Sequence, residues 1–200
     1  MFSTDAVAIR TASEASPDTM ARVIMFAIVT ANAPLHAAAN ASEWLGRVDF
    51  SRMSYGDVTT ADRSYMGAAM SGAKLAAVQH VWASRESLYR QYRTMDAVSF
   101  WNLCIDTVPG LGMVKAAFTV QMLYNELGCI DTHNLRMLGL DRNAVSGKSK
   151  RKREQYLQIQ SVRSSEQWWN DWCDFVATKY PARYSDGEQV SRLHVEAVGL

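Results

Sequence analysis

The apolar positions of this chain repeat at the spacing of buried helix faces rather than of strands. In "SPDTMARVIMFAIVTAN", Ser16 is suited to cap a helix, and Pro17 suits the first helical position, where no backbone hydrogen bond is lost. The apolar residues that follow share one helical face: Met20, Val23, Ile24, Ala27 and Ile28. Long period-two runs of valine, isoleucine and threonine are absent. The pattern therefore predicts an all-α fold.

Similar spacing predicts helices along most of the remaining sequence. A second helix is expected in residues 33–47 with its end near Gly46, and the glycine-containing stretch 49–72 is expected to be a loop with a short helix. Further helices are predicted over residues 73–93, from about 95 to 105, from Met113 to Leu127, and in "SEQWWNDWCDFVATKY" near the end.

A chain of 200 residues is long enough to bury a full core, so we expect a single helical domain over residues 1–200. Its segments are a hairpin (106–118), an acidic segment (129–140), a basic connection (146–154, within a polar stretch from 141 to 155) and tryptophan-rich C-terminal helices (155–200).

Composition narrows the function classes. The chain is 48% hydrophobic and 20% charged, as in ordinary globular proteins, and its net charge of +1 provides no global attraction to nucleic acid. Three cysteines without ligand-like spacing argue against a zinc ribbon and a disulfide framework. No apolar run has membrane-spanning length, and no signal-peptide layout is present, so we expect a cytoplasmic protein with no membrane partner.

The stretch "VPGLGMVKAA" predicts a tight turn that opens a helix. Pro109, Gly110, Leu111 and Gly112 form the turn, and its glycines permit positive φ angles and the close approach of another backbone. The free amides of the following helix, together with Lys115 in its first turn, would suit an anion such as a phosphate. The alternative is a plain packing corner between two helices.

Asp131 follows this helix in "CIDTHNLRM". By itself it is expected to cap the next helix, with Gly139 as the stop of that helix. The glycine hairpin and the Asp-Thr-His segment together resemble the helix-hairpin-helix DNA glycosylase superfamily. The resemblance implies two helical lobes with a cleft between them, a hairpin that grips a DNA phosphate, and an aspartate in the pocket that receives a flipped base.

The sequence departs from the bifunctional glycosylases at Val114, where those enzymes have a nucleophilic lysine, and it lacks the four-cysteine iron–sulfur loop of another branch. It is more similar to a phage-associated branch, the α-glutamyl/putrescinyl-thymine pyrophosphorylases or amino acid:DNA transferases. That resemblance implies a transferase that flips pyrophosphorylated 5-hydroxymethyluracil out of double-stranded DNA and displaces the pyrophosphate with an amino acid, glycine in our expectation. The alternatives are a monofunctional DNA glycosylase and a DNA-binding module without chemistry.

The resemblance also suggests roles for individual residues. Asp131 would hold the ammonium of the amino acid and accept its proton. Lys115, the second candidate catalytic residue, would bind a DNA phosphate or the pyrophosphate, or alternatively be a solvated lysine. His133, the third, would assist the acid or bind a phosphate, although a structural role at the start of the helix is favoured. Asn32 and His36, at the exit of the first apolar helix, are candidate substrate-binding residues or an ordinary helix end. No metal and no organic cofactor is indicated, and the oligomeric state is left open.

Two other features have alternative interpretations. The run "KSKRKR" contains the basic residues Lys148, Lys150, Arg151, Lys152 and Arg153. It is expected to bind DNA phosphates or, alternatively, to be a solvated loop. The aromatic residues of the C-terminal third recur at helical spacing, which favours a buried helix over a stacking platform for a base.

Overall fold

The structure is a computed structural model that describes residues 2–31, 40, 43–46, 48, 50, 72–182, 186–187 and 189–190. The described residues contain helices and no strand, which confirms the all-α prediction for this part of the chain. The helices are α1 (Phe2–Ala15), α2 (Pro17–Val29), α3 (Gly72–Thr94), α4 (Ala97–Thr107), α5 (Met113–Tyr124), α6 (Thr132–Met137), α7 (Lys150–Gln160) and α8 (Ser165–Lys179), with a 3-10 helix at Arg142–Val145. None of the described helices is both long and apolar enough to cross a membrane.

Helix α2 forms the centre of the core and begins as predicted. The Ser16 hydroxyl accepts a hydrogen bond from the Thr19 amide at 3.2 Å, and Pro17 occupies the first turn. The helix is buried almost all round because it packs against α1, α3 and α5. Burial of an apolar helix on every side is typical of a core element, and it fixes the floor on which the hairpin helix α5 lies.

Helix α1 was not predicted. Its sequence contains few large apolar residues, so the helical spacing is weak, and among its residues Ile9 and Ser13 are fully buried. The helix packs against α2, α5 and α8. Its position is therefore determined by tertiary contacts rather than by a strong local pattern.

Three predicted boundaries shift for local reasons. Helix α4 begins at Ala97 rather than near 95, because the Asp96 carboxylate caps it by accepting a hydrogen bond from the Ser99 amide at 2.9 Å. Helix α5 ends at Tyr124 rather than Leu127, because Asn125 takes a left-handed conformation with φ +57°. The stretch 141–155 is not a loop throughout, since it includes the 3-10 helix and the start of α7, which Ser149 caps.

The second predicted helix and the predicted loop at 49–72 lie mostly outside the described residues. Within the described part, residues 43–46 are helical, and Trp44 and Leu45 belong to the core. Asn32 and His36 lie outside the described residues, so their predicted roles stay predictions.

Candidate functional site

The hairpin between α4 and α5 is a tight turn with an anchored base. The Leu111 amide donates a hydrogen bond to the Val108 carbonyl at 3.3 Å, and Gly110 has φ +80°. Proline followed by a glycine with positive φ is the sequence signature of a type II turn. The side chain of Leu111 is buried, whereas Pro109 and Gly110 are exposed. The turn therefore presents its backbone outward while one side chain holds it to the core.

Helix α5 starts at this turn without a side-chain cap. Gly112 is the capping residue and contributes no side-chain hydrogen bond, and the first helical hydrogen bond runs from the Ala116 amide to the Gly112 carbonyl at 2.9 Å. The preceding amides of the first turn have no acceptor within the helix. From inside the core, the Trp101 indole N–H donates to the Met113 carbonyl at 2.9 Å and fixes the helix start.

Asp131 caps helix α6, as its position in the sequence predicts. Its Oδ1 atom accepts hydrogen bonds from the amides of His133 at 2.8 Å and Asn134 at 3.0 Å. In the described part of the chain, its second oxygen, Oδ2, accepts no hydrogen bond. The helix ends at Met137, and Gly139 stops it as predicted, with φ +68° and an amide that donates to the Arg136 carbonyl. In Asp131, Oδ1 thus caps the helix, while Oδ2 is available to a ligand.

A buried tyrosine holds the segment that carries Asp131. The hydroxyl of Tyr156 donates to the Gly128 carbonyl at 2.7 Å and accepts from the Ile130 amide at 3.0 Å. Tyr156 is completely buried, and burial raises the pKa of its phenol well above the ordinary value. Gly128 also lies so close to the Trp168 indole that a Cβ atom would stand 2.3 Å from a ring carbon. The path of the chain into Asp131 is therefore closely constrained.

Two buried amides complete this support. The Gln121 side chain accepts a hydrogen bond from the Cys129 amide at 3.1 Å and donates one to the Ser165 carbonyl at 2.8 Å. The Asn134 side chain donates to the Cys129 carbonyl at 2.7 Å. The side chains of Tyr156, Asn134 and Gln121 thus bond the segment 128–130 to the helices α7, α6 and α5. Gln121 also connects this segment to Ser165 at the start of α8. The sequence did not predict these roles of Gln121, Asn134 and Tyr156, because their partners are backbone atoms of a distant or irregular segment.

A pocket of about 770 Å³ lies between the hairpin, the Asp131 segment and α8. It brings together Gly110, Gly112, Lys115, Asp131 and Lys148, all of which were predicted to take part in the site. The acidic and basic residues in its described lining are three lysines and one aspartate. The third lysine, Lys179, was not predicted. A lining with this excess of positive charge suits an anionic ligand.

Aromatic side chains of α8 form one wall of the pocket. Trp168 and Trp169 are buried, which agrees with the predicted aromatic core helix, while Trp172 and Phe175 are only partly buried. All four line the pocket. The two interpretations of this helix are therefore compatible, because its residues both fill the core and present ring surface to the cavity.

His133 lies behind this wall and is not among the residues that line the pocket. Its ring is stacked on Phe175 with the ring centroids 3.5 Å apart and the planes inclined by 17°. Its Nε2 atom is buried and has no hydrogen-bond partner in the described part of the structure. His133 is thus placed to support Phe175, while its predicted assistance to Asp131 stays a prediction.

Lys115 contributes positive charge at the hairpin end of the pocket. Its Nζ atom lies 5.4 Å from the centre of the Phe118 ring. Burial lowers the pKa of the nearby Lys74, and the charge of Lys115 lowers it further. Burial raises the pKa of the Cys129 thiol to about 12, although Lys115 partly opposes this shift. Cys129 is therefore a neutral group of the pocket lining, and the charges of Lys115 and Asp131 both act on it.

The basic run divides into residues with structural contacts and residues that face solvent. Lys148 donates to the Ile105 carbonyl at 2.9 Å, and Lys152 donates to the Asn143 carbonyl at 2.7 Å. Arg153 forms a two-pronged ion pair with Asp106, and its hydrogen bonds hold the pKa of that carboxyl below the usual range.

Lys150 and Arg151 are exposed and have no such contacts in the described part of the structure. The predicted DNA contact of the run stays a prediction, and these two residues are the ones best placed for it.

The described residues contain no group of three or more side chains suited to hold a metal ion. A scan of protein-family models, a search of curated proteins and a search of solved structures found no match to the chain. The ligand of the pocket has to be inferred from the pocket's own residues.

Proposed function

We propose that the chain is a DNA hypermodification transferase with a helix-hairpin-helix DNA glycosylase-like fold, in which two helical lobes flank a cleft. It binds double-stranded DNA in the cytoplasm of a phage-infected cell and flips a pyrophosphorylated 5-hydroxymethyluracil into the pocket. An amino acid amine, that of glycine, then displaces the pyrophosphate. The observation that carries this proposal is a pocket with three lysines and one carboxylate, the latter with an oxygen free for a ligand.

The reaction needs one proton acceptor next to the attacking nitrogen. The ammonium of the amino acid gives a proton to Oδ2 of Asp131, and the neutral amine attacks the methylene carbon attached to the pyrimidine ring. The new C–N bond forms as the C–O bond to pyrophosphate breaks, and the electron pair leaves with the pyrophosphate. The product keeps its secondary ammonium, and the proton held by Asp131 passes to solvent after the pyrophosphate has left, so that the carboxylate is restored and charge and atoms balance.

The leaving group needs donors that compensate its negative charge. Lys115 and the amides at the start of α5 that have no acceptor within the helix lie at the hairpin side of the pocket. Lys148 lines the pocket too, and its hydrogen bond to the Ile105 carbonyl uses only one of the three donors of an ammonium. These groups would hold the pyrophosphate, while the aromatic wall of α8 would cover the extruded base, whose unstacking costs a few kcal/mol.

A monofunctional DNA glycosylase is the second candidate, because a single carboxylate with a free oxygen also suits the activation of water. Val114 argues against a lyase in either case, since its side chain cannot form a Schiff base. The positive pocket favours the transferase over the glycosylase, because a neutral pyrimidine does not require several cations around it, whereas a pyrophosphate ester does.

The test uses duplex DNA that contains 5-hydroxymethyluracil pyrophosphate, incubated with the protein and a panel of amino acids and amines. Enzymatic digestion and mass analysis of the nucleosides should detect a thymidine with an amino acid on its methylene carbon. Free base and abasic sites would instead indicate the glycosylase. If the nucleosides are unchanged with every amine, the transferase proposal fails.

Asp131→Asn should abolish the product without unfolding the protein, because asparagine can still cap α6. The matched control is Asp141→Asn, since the Asp141 carboxylate caps the 3-10 helix through the Asn143 amide at 2.7 Å but lies outside the pocket lining. Equal loss of product in both variants would refute a chemical role for Asp131. A pure DNA-binding module would retain its biological activity in the Asp131→Asn variant.

A further inference from the structure

One face of α8 supplies more than aromatic surface to the pocket. The pocket-lining residues of this helix follow helical spacing, and the stripe continues from Trp172 and Phe175 to Lys179 in the last turn. Lys179 is exposed, and it forms no ion pair with a carboxylate in the described part of the chain. A lysine at this place gives the aromatic end of the pocket a cation of its own.

Ring contacts connect this lysine to Asp131. The Nζ atom of Lys179 lies 5.6 Å from the centre of the Phe175 ring and 5.3 Å from that of Tyr180. Phe175 also stacks with the ring of His133, whose amide donates a hydrogen bond to Oδ1 of Asp131. Asp131, Phe175 and Lys179 all line the same pocket, and His133 links Phe175 to Asp131 from outside the lining.

The three lysines of the pocket belong to two regions. Lys115 is on the hairpin helix, and Lys148 is bonded to the carbonyl of Ile105 in the helix before the hairpin. Lys179 is on α8, with the aromatic wall. The proposed reaction has two anionic groups, the pyrophosphate and the carboxylate of the amino acid. A cavity of about 770 Å³ is in the upper part of the range of roughly 300–1,000 Å³ for ligand pockets, so a base and a second small substrate fit together.

We propose that Lys179 binds the carboxylate of the incoming amino acid while Oδ2 of Asp131 holds its ammonium, so that the pocket selects zwitterionic amines over diamines. This inference rests on the proposed transferase function. The ring of Phe175 contacts both ends of the subsite, because the Nζ atom of Lys179 lies near it and the ring of His133, whose amide is bonded to Asp131, stacks with it. In a diamine, the second ammonium would take the place of the carboxylate next to Lys179, and the two positive charges would repel each other.

The experiment is a competition between equal concentrations of glycine and putrescine, with pyrophosphorylated DNA as the acceptor and mass analysis of both nucleoside products. The wild-type protein should form mainly the glycine product. Lys179→Glu should lower the ratio of glycine to putrescine product by about 10- to 100-fold, the range expected for loss of one charge-assisted hydrogen bond. Lys179→Met should raise KM for glycine more than it lowers kcat, and Lys179→Arg should retain the preference.

Thr178→Glu is the matched control, because it adds a negative charge one residue away but outside the pocket lining. Its product ratio should stay within threefold of the wild-type ratio. If Lys179→Glu and Lys179→Met form product with an unchanged ratio, the carboxylate subsite is refuted while the transferase function stands. If the wild-type protein forms no product with any amine, the proposed function is refuted and this inference with it.

Discussion

The substitution Tyr156→Phe tests whether the segment before Asp131 is held by a buried hydroxyl. Removal of one oxygen leaves the Gly128 carbonyl and the Ile130 amide without their partner, and Tyr156 is completely buried. The space left by the oxygen is too small for a water molecule to replace both hydrogen bonds without movement of the ring.

The expected loss follows from the two orphaned groups. An unsatisfied buried backbone group costs about 1–3 kcal/mol, so the free energy of unfolding should fall by roughly 2–6 kcal/mol for the two groups. In a domain of this size, 1 kcal/mol shifts Tm by about 2–4 °C, which gives a decrease of roughly 4–24 °C. The effect should also be local, because the Ile130 amide loses its acceptor and should exchange its proton with solvent faster.

Denaturant unfolding with a fixed m-value and amide hydrogen exchange measure these effects. The control is Tyr89→Phe, whose hydroxyl donates to the Glu14 carbonyl at an exposed position, so its removal should cost less than about 0.5 kcal/mol. If Tyr156→Phe destabilises the protein no more than Tyr89→Phe, or leaves exchange at Ile130 unchanged, the supporting role of the hydroxyl is refuted.

Two further predictions concern the basic run and the pH dependence of stability. Replacing both Lys150 and Arg151 by glutamine should weaken DNA binding and reduce the slope of log affinity against log salt by about one per lost phosphate contact, with Tm unchanged. Arg153→Gln should instead lower the free energy of unfolding by about 1 kcal/mol, because its ion pair with Asp106 is lost. A salt titration of DNA binding and a thermal melt measure the two effects. A lower Tm in the double variant, or a reduced salt slope with an unchanged Tm in Arg153→Gln, would contradict these separate roles.

Burial raises the pKa of the Cys104 thiol to about 12 and that of the Tyr156 phenol well above its ordinary value, so both groups stay protonated in the native state after the unfolded chain begins to ionise. These groups should therefore not affect stability at neutral pH. Stability should fall above pH 9.0 because of the thiol and above pH 10.0 because of the phenol. For each group, the equilibrium constant of unfolding should rise about tenfold per pH unit. Denaturation curves from pH 7 to pH 11 measure this fall in the free energy of unfolding. The free energy of the Tyr156→Phe variant should fall less steeply above pH 10. If the free energy of the wild-type protein does not change with pH, the burial of these two groups as neutral species is refuted.

The sequence by itself determined where several helices begin and end. Ser16 caps α2, Asp131 caps α6 and Gly139 stops it, as predicted. The turn at Gly110 was predictable for the same reason. Caps and tight turns depend on residues within about four positions of each other, so their chemistry is readable from the printed chain. The start of α4 was predicted less well. The helix was expected to begin near Met95, but Asp96 caps it and the helix begins at Ala97.

The sequence also identified a hairpin, an acid and an aromatic helix without showing that they form one site. Their convergence on a single pocket, and the addition of Lys179 to it, became visible only in the folded chain. The basic run was predicted to act as one DNA-binding segment. In the folded chain, Lys148, Lys152 and Arg153 make hydrogen bonds within the protein, whereas Lys150 and Arg151 are exposed. Arg153, for example, bonds to Asn102, which is 51 positions earlier in the chain.

The support of Asp131 shows the physical reason most clearly. Tyr156 contacts the Ile130 amide from 26 positions away, and nothing in the local sequence of a basic, polar helix marks that tyrosine as the residue that holds the segment. Local propensity and capping act along the chain, whereas burial of polar groups is satisfied by whichever partner the packing brings near. The sequence therefore determined the acid and its helix, and the tertiary structure decided what holds that acid and what shares its pocket.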